Sequence, residues 1–95
     1  MCDNELEILE SVAYIKGSKH RTNMILFLNH GLYTPTEIGH AINLRPNHTS
    51  NILSDLRKKD LVYCATPKVH KGKLYTLTKK GKIVYTYLEH QEPNK

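Results

Sequence analysis

Two helix starts stand close together in this chain, in the stretch "TPTEIGHAINLRP". Thr34-Pro35-Thr36-Glu37 places Thr at an N-cap, Pro at the first helical position and Glu three residues after the cap, the arrangement that closes a capping box. The helix it opens, over 35–42, has Ile38, Ala41 and Ile42 for its buried side. Pro46 then opens a second helix over 46–59, which leaves only Asn43-Leu44-Arg45 as a turn. Two helices joined by so tight a turn make a helix-turn-helix, and the rest of the chain must pack around that pair.

The flanking segments carry clear periods. Leu6, Leu9, Val12 and Ala13 recur at helical spacing and predict a helix over 4–15. Ser18 can cap another over 18–29, where Met24 to Leu28 are apolar without a break, so this helix packs on more than one side. His30-Gly31 should end it, glycine taking a left-handed stop. Beyond Val62 the period becomes alternating: "LVYCATP" and "KLYTLT" read as strands around a basic "KVHKG" tip, a hairpin over 62–78. Thr78 can cap a last helix over 79–90, with Ile83, Val84, Tyr87 and Leu88 on one side, and "HQEPNK" is expected to fray. The fold class is mainly α with a small β-hairpin wing, in one domain over 1–95.

The second helix of the pair, "RPNHTSNILSDLRKKDLV", carries the functional signal. At 100° per residue, Thr49, Ile52, Leu53 and Leu56 share one side. Asn47, Asn51, Ser54 and Lys58 lie opposite, flanked by His48 and Ser50. Amide and hydroxyl groups both donate and accept hydrogen bonds, which suits base edges in the DNA major groove. Phosphates call for cations, and Arg45 stands at the helix start with Arg57, Lys58 and Lys59 at its end. The same three cations would also complement the helix dipole on a merely solvated face. Charge is polarised along the chain. Residues 1–43 hold three Lys/Arg against five Asp/Glu, and residues 44–95 hold eleven against four, which directs the second half towards an anionic partner.

Taken in order, these elements form a winged helix-turn-helix. "TEIGHAINLRPNHTSNILSDLRKKDLV" followed by "KGKLYTLTKKGKIVYTYL" resembles the winged-helix domain of small archaeal and bacterial regulators of the MarR/ArsR type. "YIKGSKHRTNMILFL" resembles the S-x-x-R first-helix pattern of archaeal members, and the likeness runs from Val12 to Leu88. It implies a transcriptional regulator whose recognition helix, residues 46–59, enters the major groove of double-stranded DNA. Arg45, Asn47, His48, Ser50, Asn51, Ser54 and Lys58 would face bases or nearby phosphates. Lys68, His70, Lys71 and Lys73 would form the wing, on the backbone or a minor groove. Thr34 and Thr36, at the start of the preceding helix, would meet the DNA backbone. The chain departs from the family at three points: Asp60 stands where glycine usually ends the helix, Thr49 replaces a typical Val, and no arginine points squarely at bases.

Other functions find less support. A winged helix used only for protein–protein binding would often lose the cations that are kept here. Six histidines and two cysteines could serve a metal- or redox-responsive repressor, but no H-x₃-H or C-x₂-C spacing occurs, so neither metal nor cofactor is expected. Cys64 reads as a small buried hydrophobe. No glycine-flanked nucleophile or phosphate loop appears, and no catalytic residue is assigned. No apolar run approaches a membrane span and the N-terminus is acidic, so a cytoplasmic address is expected. The terminal helices carry more apolar surface than so small a domain covers alone, which points to a homodimer. Tyr14, Tyr33, Tyr85 and Tyr87 could line an effector pocket, though core packing accounts for them as well; the effector itself stays open.

Overall fold

A computed structural model describes residues 5–91; Cys2, Asn4 and the tail beyond Gln91 lie outside them. Five helices and one hairpin follow in order: α1 (Glu5–Lys16), α2 (Lys19–Leu28), α3 (Pro35–Ile42), α4 (Pro46–Lys58), β1 (Val62–Cys64), β2 (Tyr75–Leu77) and α5 (Lys79–Gln91). Helix α2 is the hub, packed by α1, α3, α5 and β2, which accounts for its unbroken apolar run. Met24, Ile25 and Leu28 are fully buried there, and Leu26 and Phe27 are half-buried against the same core.

The S-x-x-R stretch locks α1 to α2. Ser18 Oγ accepts from the Arg21 N–H at 3.3 Å, capping α2. The Arg21 guanidinium donates to the Tyr14 carbonyl at 2.8 Å and lies 4.0 Å from the Tyr14 ring centroid. Helix α2 ends otherwise than expected: its C-cap is Asn29 in a right-handed conformation, and Gly31, at φ 157°, is nearly extended rather than a left-handed stop.

Helix α1 keeps only Val12 of the stripe the spacing suggested. Ile8, Val12 and Ile15 enter the core with Ser11, whereas Leu6, Leu9 and Ala13 are exposed. Both sets recur at helical spacing, and the set rich in β-branched side chains is the one packed inward.

The capping box at Thr34 is formed in both directions: the Glu37 N–H donates to Thr34 Oγ1 at 3.2 Å and the Thr34 N–H to Glu37 Oε1 at 2.9 Å. The turn that follows relies on Asn43 at φ 60°, one of the few residue types that enter the left-handed region at modest cost. Ala41, expected inside, is exposed, and Gly39 is buried in its place. A Cβ at position 39 would stand 2.9 Å from Thr49 Oγ1 and 3.1 Å from the Leu44 carbonyl, so the crossing of α3 over α4 is closer than any side chain there would allow. Thr49 itself is wholly buried, its hydroxyl satisfied by donating to the Arg45 carbonyl at 2.9 Å.

Helix α4 closes in a Schellman arrangement. The Leu61 N–H reaches the Leu56 carbonyl at 2.9 Å and the Asp60 N–H the Arg57 carbonyl at 2.9 Å, with Asp60 left-handed at φ 63°. An aspartate here carries a Cβ penalty and sets a negative charge at the negative end of the helix dipole. Asp60→Gly should therefore stabilise the domain by about 1 kcal/mol, read as a higher urea midpoint at unchanged slope.

The hairpin pairs Val62 with Leu77, Tyr63 with Thr76 and Cys64 with Tyr75, antiparallel. A third element joins it that the alternation did not reveal: Tyr33 and Tyr75 exchange backbone hydrogen bonds at 3.1 and 2.8 Å, fastening the α2–α3 connection to β2. Helices, tight turn and hairpin together make a winged helix-turn-helix.

Candidate nucleic-acid interface

Helix α4 is two-faced, as its composition requires. Ile52, Leu53 and Leu56 are buried with Thr49, and their packing holds the helix against the core. Asn47, His48, Ser50, Asn51, Ser54 and Lys58 are all exposed, as is Arg45, whose backbone forms the N-cap without a side-chain hydrogen bond. A helix held rigidly by one side presents a fixed row of amide and hydroxyl groups on the other.

Three hollows on this surface set Thr36, Ser50, Ser54 and Lys58 beside neighbouring elements. The first, between α3 and α4, has Thr36 and Ser50 on its rim over Gly39, Leu44 and Pro46. The second brings Ser50 and Ser54 beside Arg57 and Tyr75 of the wing. The third carries Ser54 and Lys58 to the wing base at Tyr63, Cys64 and Pro67. Arg57 thus stands at the junction of α4 and the wing, its guanidinium 5.6 Å from the Tyr75 ring centroid.

The wing tip holds Lys68, His70 and Lys71 exposed, and Lys73 half-buried. Gly72 turns the tip at φ 68°. The loop's base is pinned by the Ala65 N–H on the Leu74 carbonyl at 2.8 Å and the Leu74 N–H on Thr66 Oγ1 at 3.0 Å. At the α3 N-terminus, Thr36 is exposed, while the Thr34 hydroxyl oxygen is engaged in the capping box.

Two residues make contacts that the sequence did not suggest. Lys59 was expected beside Lys58 at the phosphate-facing end of the helix, but its ammonium lies over the Tyr14 ring, 4.7 Å from the centroid. Tyr14 therefore meets both Arg21 and Lys59, tying α1 to the end of α4. His48 meets a partner that the sequence did not suggest, the ring of His20 on α2, at 5.2 Å between centroids and 75° between planes.

The remaining tyrosines take separate posts. Tyr33 stacks on Phe27 with centroids 4.1 Å apart. Tyr85, on α5, donates to Glu89 Oε2 at 2.8 Å, and this bond, with burial second, raises its phenol above the ordinary tyrosine value. No group of three or more His, Cys, Asp or Glu gathers among the described residues. No described helix is long and apolar enough to cross a membrane.

No protein-family model matches the chain, and no curated protein does. Solved structures do share its fold. The S. aureus MepR–DNA complex superposes with a TM-score of 0.73 at 17% identity, over 90% of this chain and 73% of that one. Lactococcus lactis ZitR, a zinc-responsive MarR family member, matches with a TM-score of 0.67 at 16% identity, over 77% of this chain and 51% of that one. A mutant of ZitR in complex with DNA matches over the same shares with a TM-score of 0.68, also at 16% identity. This chain spans about half the length of the ZitR chains.

Proposed function

We propose that this protein is a sequence-specific regulator of transcription that binds double-stranded DNA, with α4 in the major groove and the 66–73 loop on the backbone or minor groove. The observation that carries the reading is the exposed row Asn47, Ser50, Asn51 and Ser54 on a helix whose other side is buried. Uncharged groups that donate and accept suit base edges, and Asn can bond the adenine edge in bidentate fashion. Arg45 and Lys58 at the ends of the row, with Lys68, His70, Lys71 and Lys73 on the wing, meet phosphates. Thr34 and Thr36 serve the backbone from the N-terminus of α3, where Thr36 has its hydroxyl in solvent. Arg57, at the junction of helix and wing, joins this set. Solved structures with the same fold include complexes with DNA, which supports the choice of partner.

The working form is a homodimer built on α1 and α5. Leu6 is 62% and Leu9 42% exposed on one side of α1, an apolar strip of the kind that marks an interface. Two-fold symmetry would present two α4 helices to successive major grooves, about 34 Å apart, on a pseudo-palindromic site.

Asn51 provides the test. Duplexes selected from a random library by the wild-type protein define the preferred site. Asn51→Ala should then lose about 1–3 kcal/mol of discrimination at one base pair while keeping its affinity for unrelated duplex. Equal loss on every duplex would move Asn51 from bases to backbone. A wild-type protein that shifts no duplex at low salt would end the DNA reading.

A further inference from the structure

The contact between His20 and His48 joins residues far apart in the sequence, one in the first turn of α2 and one in the first turn of α4. His20 Nδ1 is buried and has no hydrogen-bond partner, among described residues the single side-chain atom so placed. No protein group among the described residues reaches this nitrogen, and a transition-metal ion is one partner that an imidazole nitrogen takes. The ring spacing, inside the range of about 4.5–7 Å common to edge-to-face ring pairs, is also compatible with a shared ion. With metal–nitrogen bonds of about 2.0–2.1 Å, each imidazole centroid stands about 3.2 Å from the ion, so two rings at a tetrahedral angle have centroids about 5.2 Å apart. The observed separation is 5.2 Å.

We propose that His20 and His48 form a two-histidine site for a divalent transition-metal ion, bridging α2 to the start of α4. His20 supplies its buried Nδ1. His48, exposed at the rim, can turn its ring to bring a nitrogen to the same point. Imidazole suits Zn²⁺, Ni²⁺ and Cu²⁺ and disfavours Mg²⁺, which takes oxygen ligands. No third His, Cys, Asp or Glu closes the site, so water or an anion fills the remaining positions and the ion stays exchangeable. An ion here would fix the first turn of α4 against α2.

The site is testable without DNA. Zn²⁺, and Ni²⁺ in a parallel series, are titrated into the full chain while the imidazole signals of all six histidines are followed by NMR. The His20 and His48 rings should shift together and saturate at one ion per chain, with His30, His40, His70 and His90 as internal references and Mg²⁺ without effect. His48→Gln, at an exposed position that folding does not require, should weaken Zn²⁺ binding about tenfold or more, and His20→Gln likewise. Thermal unfolding gives a second readout, since Zn²⁺ should raise the Tm of the wild type and not of His48→Gln. Shifts confined to other histidines, or undiminished Zn²⁺ affinity in His48→Gln, would overturn the site.

Discussion

Gly81→Ala is expected to destabilise the domain by about 3 kcal/mol or more, where the same change in an exposed helix would stabilise it by about 1 kcal/mol. The reversal follows from how α5 begins. A Cβ at position 81 would run into the Leu61 carbonyl oxygen, and it would also stand 3.2 Å from the Leu61 carbonyl carbon and 3.2 Å from Leu77 Cβ. That carbonyl is fixed, because it accepts from the Thr78 N–H at 3.0 Å while the Thr78 hydroxyl donates to the Asp60 carbonyl at 2.6 Å. The Thr78 oxygen in turn accepts from the Gly81 N–H at 3.0 Å, capping the helix. Room for a methyl group would come only by prising α5 from the root of the wing. Such a shift gives up core contacts and hydrogen bonds, each bond worth about 1 kcal/mol. Urea unfolding followed by circular dichroism measures the loss. Lys82→Ala, an exposed change one residue on, should stay within about 0.5 kcal/mol of the wild type. A Gly81→Ala protein as stable as the wild type would show that α5 does not pack on Leu61 in this way.

Affinity for DNA is expected to fall on the order of a thousandfold or more between 50 and 200 mM salt. In the proposed complex each protomer would offer Arg45, Lys58, Lys68, Lys71 and Lys73 to phosphates, so a dimer would displace enough condensed counterions for a steep dependence. Lys71→Ala should weaken binding to all sequences alike and reduce the slope of log affinity against log salt by about 0.9 for each protomer engaged. Fluorescence anisotropy over a salt series checks both statements. A shallow slope, with affinity held above 200 mM, would mean that the wing and helix ends do not grip phosphates.

Much of this architecture was legible in the chain because local chemistry and tertiary packing agree. The Thr34 capping box, the prolines at the starts of α3 and α4, and the Thr49-Ile52-Leu53-Leu56 stripe each need only neighbours in sequence. Thr49 in α4 and Asp60 just past its end, two departures from the family pattern, also follow from local rules: one hydroxyl bonds the preceding turn, and one aspartate accepts a left-handed stop. Where two local solutions were equally good, sequence could not choose. Helix α1 offers Leu6 and Leu9 or Ile8 and Ile15 beside Val12 at similar spacing, and only the position of its neighbours decides which is buried. Gly39 and Gly81 matter through backbones that are distant or around a turn, which leaves no periodic trace. The Tyr33–Tyr75 bridge is a single residue pair, too short for alternation to register. For the site, the exposed row of α4 was readable, but the meeting of His20 with His48 and the retreat of Lys59 over Tyr14 depend on helix packing alone.

The DNA-facing role of α4 can be tested in one spectrum series. Backbone and side-chain amide shifts of the full-length protein are recorded as a selected duplex is added at low salt. The largest changes should fall on Asn47, Ser50, Asn51, Ser54 and the 66–73 loop, including the side-chain amides of both asparagines. Changes restricted to α1 and α5, with α4 and the loop unmoved, would contradict it.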